Sequence, residues 1–190
     1  MTDRNGIRRW ARQQRSALSP TEQDQAAKAA AQQALGLTEL AGATTLALYL
    51  ANDGELDPQP LLDALAGAGK TVLLPVLHPF VPGHLLFMRY QRGEAMTLNR
   101  FGIPEPQLDV RKVVPVSDID VVFTPLVAFD DAGHRLGMGG GFYDRSLASY
   151  QGLVVGLAHD CQQHPALPVA SWDKPLSLIV TPKGIKRFRS

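Results

Sequence analysis

The sequence predicts an α/β fold, a three-layer domain whose mostly parallel central sheet is covered by helices on both faces. Short apolar runs over 44–50, 71–77, 85–90, 119–124, 153–158 and 176–181, each bounded by Gly, Pro, Asp or Asn, have the pattern of strands. Several lack strict alternation, as in Val121-Val122-Phe123, which fits strands buried on both faces between layers of helix. Helix-period segments precede and separate the runs. With 190 residues, 45% of them apolar, the chain can bury one good-sized core, so residues 1–190 are read as a single domain.

Residues 3–18 alternate arginine with Ile7, Trp10, Ala11 and Leu18, which at about 100° per residue places those four along one side of a helix. Arg4, Arg8, Arg12 and Arg15 then share a neighbouring strip, the pattern of a solvated charged face. Ser19-Pro20-Thr21-Glu22 can start a second helix. The serine caps, proline suits the first helical position, and the glutamate returns a bond to the cap. That helix runs to Leu35, with Gly36 expected to end it in the left-handed conformation. Residues 59–67 form a crossover helix. Residues 91–117 contain the stiff Gly102-Ile103-Pro104-Glu105-Pro106 and read as a surface loop.

The formal charge of +1 gives no electrostatic argument for binding nucleic acid. The single cysteine, Cys161, has no internal disulfide partner, and it reads as a half-buried thiol; with His159 and His164 it lacks the third partner that a metal or nucleophile site needs. The arginine-rich start lacks the apolar stretch of a signal peptide, and no apolar run is long enough to span a bilayer. The expected setting is a reducing cytoplasm, with no membrane partner and a monomeric chain.

The segment richest in chemistry is His134-Arg135-Leu136-Gly137-Met138-Gly139-Gly140-Gly141-Phe142-Tyr143-Asp144-Arg145. A strand enters a glycine-rich turn and a helix leaves it. Without side chains at four of five positions, backbone N–H groups can approach a phosphate, although such turns also occur where backbones merely pack closely. Arg135 and Arg145 bracket the turn and suit phosphate oxygens, and Asp144 offers the hard oxygen that magnesium prefers. No Gly-Lys-Ser/Thr ends the loop, so it is not a Walker loop, and it lacks the fingerprint of a dinucleotide site.

Leu136-Gly-x-Gly-x-Gly-Phe-Tyr-Asp144 resembles the signature of the 5-formyltetrahydrofolate cyclo-ligase family. Three further segments are similar to that family: Arg4-x-x-Ile7-Arg8, Leu50 to Glu55, and Leu167-Pro168 to Asp173 with Ile179-Val180-Thr181. The resemblance implies the same α/β fold and a magnesium-dependent enzyme that uses ATP to convert 5-formyltetrahydrofolate into 5,10-methenyltetrahydrofolate. It implies ATP binding by Arg4, Arg8, Arg135, Leu136, Gly137, Met138, Gly139, Gly140, Gly141, Phe142, Tyr143 and Arg145. Leu50 and Glu55, with Met138, Gly139, Gly140, Gly141 and Phe142, are implied to hold the folate. Arg135 and Tyr143 are the expected catalytic residues, and Asp144 and Asp173 the expected magnesium ligands. Four positions depart from the common family pattern: Arg4 stands for lysine, Met138 for arginine, Gly140 for lysine in some members, and Phe142 for tyrosine. With no arginine at Met138, either Arg135 or Arg145 takes its charge-neutralising part, or the nucleotide sits somewhat differently in this branch. Taken as generic residues, Glu55 belongs to a turn and Asp173 to a loop or cap; their ligand roles rest on the resemblance.

Overall fold

The computed structural model describes residues 3–170 and 175–188. It opens on helix α1 (Arg4–Ser16), whose cap Asp3 accepts the Gly6 N–H at 3.0 Å. Helix α2 (Pro20–Leu35) begins with the capping box that the sequence predicts: Ser19 and Glu22 exchange bonds, and Pro20 occupies the first turn. Then follow β1 (Thr45–Ala47), α3 (Gln59–Gly67), β2 (Thr71–Leu77), β3 (Leu85–Arg89), β4 (Met96–Leu98), β5 (Pro104–Pro106), β6 (Val113–Val114) and β7 (Val121–Pro125). The remainder comprises β8 (Ala128–Phe129), β9 (Arg135–Leu136), α4 (Phe142–Ser146), β10 (Leu153–Leu157), β11 (Leu178–Thr181) and β12 (Gly184–Arg187).

The main sheet has the order β12-β11-β10-β7-β1-β2-β3-β6. Its centre, β11 to β2, is parallel, and β3, β6 and β12 add antiparallel edges. Alternate residues feed different cores, as the two-residue period of a strand requires. Leu46, Val121, Phe123, Val155 and Leu178 pack with Ala30, Ala34, Leu61 and Leu65 of α2 and α3. Ala47, Leu73, Phe87 and Val122 face the other way, against Leu147 and Tyr143 at α4. Among the described residues, no helix is long and apolar enough to cross a membrane.

Three expectations need correction. Arg15 is not on a solvated strip: it is fully buried, because the turn around Asp53 folds over that end of α1. Gly36 does end α2, but at φ −78°, in the right-handed region; its N–H bonds back to Gln32 and Gln33, and the chain turns on directly into Thr38–Leu40. Residues 91–117 are not an unstructured loop. They hold the β4–β5 ribbon, registered Met96↔Pro106 and Leu98↔Pro104, followed by β6. Proline is tolerated there because a two-stranded ribbon leaves each strand an unpaired edge. As expected, a strand enters the glycine-rich turn and a helix leaves it: the strand is β9, the second arm of a separate two-stranded ribbon, β8–β9, and the helix is α4.

That ribbon turns at Asp130–His134, with Gly133 at φ 83°. A Cβ on Gly133 would come within 2.6 Å of the Leu176 carbonyl oxygen and 2.7 Å of the Phe188 ring. Gly133→Ala is expected to destabilise the fold by about 2–4 kcal/mol, read as a lower urea midpoint with an unchanged slope. A midpoint within experimental error of the parent would show that the turn is not held as described.

Candidate active site

The buried carboxylate of Asp130 organises the ribbon. It accepts hydrogen bonds from the N–H groups of Ala132 and His134, each at 3.0 Å, from the Leu167 N–H at 3.1 Å, and pairs with His134 Nδ1 at 3.0 Å. Burial pushes its pKa up, but the bonds from His134, Leu167 and Ala132 outweigh that, and the carboxyl lies below its ordinary value. Behind it, the buried Gln162 amide donates to the Leu126 and Val127 carbonyls at 2.7 and 2.9 Å, fixing the exit of β7.

The ribbon aims Arg135 across the carboxyl end of β7. Its guanidinium, 14% exposed, donates to Thr124 Oγ1 at 3.2 Å and to Asp144 Oδ1 at 2.5 Å, so it orients α4 as well as facing the pocket. Residues 137–141 then form the glycine loop, with Gly139 at φ 98° and Gly141 at φ 63°. Helix α4 has only five residues, so its dipole adds little; the positive charge at the loop comes from arginines. Arg8 Nε donates to the Gly137 carbonyl at 2.9 Å, and Arg12 Nη2 lies 3.9 Å from Met138 Sδ. Partial burial, with Arg4 and Arg12 nearby, holds the Arg8 pKa below its ordinary value, the mark of a cationic cluster suited to an anion. Arg4 itself donates to the Pro168 carbonyl at 3.2 Å. Arg145 Nε bonds the Gly83 carbonyl at 3.0 Å and its Nη2 the Gly140 carbonyl, so this arginine ties the glycine loop to the 78–84 turn.

These elements enclose a pocket of about 1330 Å³. It begins at the carboxyl ends of β1, β2 and β7, beside Leu50, Leu77 and Pro125, and runs along the sheet face under α4 to Leu147 and Val154. Arg4, Arg8, Arg135, Arg145 and Asp144 reach it, as do Leu136, Gly137, Met138, Gly139, Gly140, Gly141, Phe142 and Tyr143, together with Leu50 and Glu55 from the opposite wall. All the predicted site residues thus converge, apart from Asp173, which lies outside the described residues. Among the described residues, no group of three or more His, Cys, Asp or Glu stands where it could hold a metal ion. Cys161 is half-buried, as expected.

Tyr143 lines the pocket; its hydroxyl is buried and has no hydrogen-bond partner among the described residues, and burial, reinforced by Glu55, pushes its pKa well up, so it stays protonated. Glu55 accepts the Asn52 N–H at 3.0 Å; burial pushes its carboxyl up to about 7. Sequence reasoning missed the far wall. Phe101 meets Phe142 edge-on at 5.7 Å, and Glu105 accepts from Leu77 N and Asn99 Nδ2, each at 3.1 Å. The exposed aromatic in the Asn99–Gly102 turn was the available signal. Tyr49, whose hydroxyl donates to the Leu56 carbonyl at 2.6 Å, was passed over as the end of a strand.

A family model described as the 5-formyltetrahydrofolate cyclo-ligase family matches residues 1–182. The chain belongs to the 5-formyltetrahydrofolate cyclo-ligase family. It is 51% identical to the 5-formyltetrahydrofolate cyclo-ligase of Escherichia coli (strain K12) over 92% of this chain and 97% of that one. Against the Haemophilus influenzae cyclo-ligase the identity is 48%, over 91% and 94% of the two chains. The solved 5,10-methenyltetrahydrofolate synthetase of Aquifex aeolicus superposes with a TM-score of 0.84 at 31% identity, covering 98% of this chain and 93% of that one. The synthetase from Mycoplasma pneumoniae, at 24% identity and a TM-score of 0.76 over 95% and 99%, shares the fold. The chain is therefore an enzyme of this family, and the convergent pocket is the candidate site of its chemistry.

Glu55 yields a stability prediction. Its folded pKa, about 7, lies above the ordinary 4.5, so the folded state favours the protonated form. The cost of ionising it develops as pH rises from about 4.5 and is complete above about 7. Part of the side chain faces the open pocket, which reduces that cost to about 2 kcal/mol. Glu55→Gln should stabilise the fold by about that amount above pH 7 and by nothing near pH 4.5, measured by urea denaturation. A gain that is equal at both pH values would contradict the burial argument.

Proposed function

We propose that this enzyme converts 5-formyltetrahydrofolate into 5,10-methenyltetrahydrofolate with ATP, releasing ADP and phosphate. The observation that carries the reading is one pocket with two unlike walls. An arginine and glycine-loop wall suits a triphosphate, and Leu50 and Glu55 on the opposite wall, with the Phe101–Phe142 pair lining the same pocket, suit a flat heterocycle that donates hydrogen bonds.

The formyl group on N5 is an amide, a poor electrophile because the nitrogen lone pair is delocalised into the carbonyl. In the proposed path the formyl oxygen attacks the γ-phosphorus and ADP departs. N10 then bonds to the formyl carbon, the carbon–oxygen bond breaks, and inorganic phosphate leaves as N10 loses its proton. Both parts ask the protein mainly for positioning and charge neutralisation. Arg4, Arg8 and the backbone of residues 137–141 take the phosphates, with Arg135 the cation held nearest the carboxyl end of β7. Arg145 acts mainly through the loop it fastens. The exposed thioether of Met138 supplies contact without charge, and Arg12 beside it restores a cation at that corner. Tyr143, held protonated, donates to the substrate and is no nucleophile.

Magnesium fits as an ion delivered with the nucleotide. Asp144 is a largely exposed carboxylate beside the loop, and magnesium commonly takes one or two carboxylates with substrate phosphates. There it would supply neutralising charge on the phosphates, with Asp173 as its second protein ligand. We take the working form to be a cytoplasmic, single-domain monomer acting on small molecules, without nucleic acid or membrane.

Purified protein mixed with 5-formyltetrahydrofolate and magnesium should develop the near-ultraviolet absorbance of the methenyl product only when ATP is added; product formed equally without ATP would exclude this reading. Tyr143→Phe should lower kcat by about 10–100-fold yet leave the urea midpoint unchanged or slightly higher, because it removes a buried hydroxyl that has no partner among the described residues.

A further inference from the structure

Behind the folate wall lies a polar layer to which the reaction assigns no part. Asn52–Glu55 is a four-residue turn closed from both sides: Glu55 N donates to the Asn52 carbonyl and Asn52 N to Glu55 Oε2, both at 3.0 Å. Its central residues, Asp53 at φ 52° and Gly54 at φ 72°, are both left-handed, a conformation that an aspartate holds only at some cost. The Asp53 carboxylate is gripped by two arginines of α1, Arg12 Nε at 2.8 Å from the surface and Arg15 Nη2 at 3.2 Å from beneath. Arg15 is completely buried, and its Cβ lies 3.5 Å from where a side chain on Gly54 would begin, so the turn rests directly on it. Its Nε and Nη1 find no acceptor among the described residues, and neither does the Nε2 of buried His159, whose ring faces the backbone of Gly54 and Glu55.

A buried guanidinium with two idle nitrogens is costly, and a merely structural prop would be better served by an apolar side chain. We propose that Arg15, with His159 beside it, is a positioning residue for Glu55: it anchors the Asn52–Glu55 turn through Asp53 and sets where the Glu55 carboxylate stands in the folate wall. The proposal rests on the reading of Glu55 as a folate ligand. Its geometry has an electrostatic consequence. Five groups face Glu55 or its turn: Arg15 from α1, Asp53 within the turn, Tyr49 after β1, Tyr143 from α4 and His159 after β10. Burial raises the Glu55 pKa most; the Arg15 charge opposes that rise and the Asp53 charge adds to it. Removing Arg15 therefore makes the carboxylate harder to ionise, and removing the Asp53 charge makes it easier.

The experiment measures the dissociation constant of 5-formyltetrahydrofolate by calorimetry, without ATP, on the whole protein from about two pH units below 7 to about one above. Wild-type affinity should weaken on the acid side as Glu55 takes up its proton, and Glu55→Gln should abolish that dependence. Arg15→Met should weaken binding about tenfold and move the acid limb to higher pH, Arg15→Lys should bring most of the limb back, and Asp53→Asn should move it to lower pH. Asn at position 53 keeps the left-handed turn, so that arm decides the matter even if Arg15→Met does not fold. Opposite displacements support the proposal, since a purely structural loss weakens binding equally at every pH. Limbs that stay at the wild-type position, or move together, overturn the Arg15 proposal and leave the Glu55 reading standing. A limb that survives Glu55→Gln overturns both.

Discussion

The site depends on a buried carboxylate that is over-supplied with donors. Asp130 receives three backbone N–H groups and the His134 ring, and these bonds close the short ribbon that projects beyond the end of β7. From that closure follow the direction of Arg135, the start of the glycine loop at Gly137, and the orientation of α4 through the Arg135–Asp144 pair. The loop needs such an anchor because its glycines give it no preferred conformation of its own. Gln162 completes the frame by taking up the Leu126 and Val127 carbonyls where β7 leaves the sheet.

Around this frame the chain accepts arrangements that cost stability. Among the described residues the Tyr143 hydroxyl is unpartnered and buried Arg15 has two nitrogens without an acceptor, while burial raises the Glu55 carboxyl and Asp53 is left-handed. Tyr143 and Glu55 line the pocket, and Asp53 and Arg15 stand directly behind Glu55. Such local violations are the expected signature of a site whose groups await a ligand rather than one another.

Local chemistry made much of this legible. The Ser19–Glu22 capping box, the 59–67 helix and the strands at 71–77, 85–89 and 153–157 are encoded by neighbouring residues, and each stands where the pattern places it. The glycine loop was legible for the same reason. What escaped was set by distant partners. Arg15 has the same helical period as its exposed neighbours, and only the Asp53 turn, 38 residues away, decides that it is buried. The β4 and β5 strands are three residues each and β5 carries two prolines, so pairing rather than propensity defines them. Phe101 and Glu105 joined the pocket with them, and the aromatic in the Asn99–Gly102 turn was a local hint of that wall.

The central claim is that the pocket places the formyl oxygen against a phosphoryl donor, so that this oxygen leaves on phosphate. The most direct test supplies 5-formyltetrahydrofolate carrying heavy oxygen in the formyl group and weighs the inorganic phosphate after a single turnover. The account predicts one heavy oxygen in each phosphate formed. Unlabelled phosphate, with the label in water or retained on the folate, would contradict it.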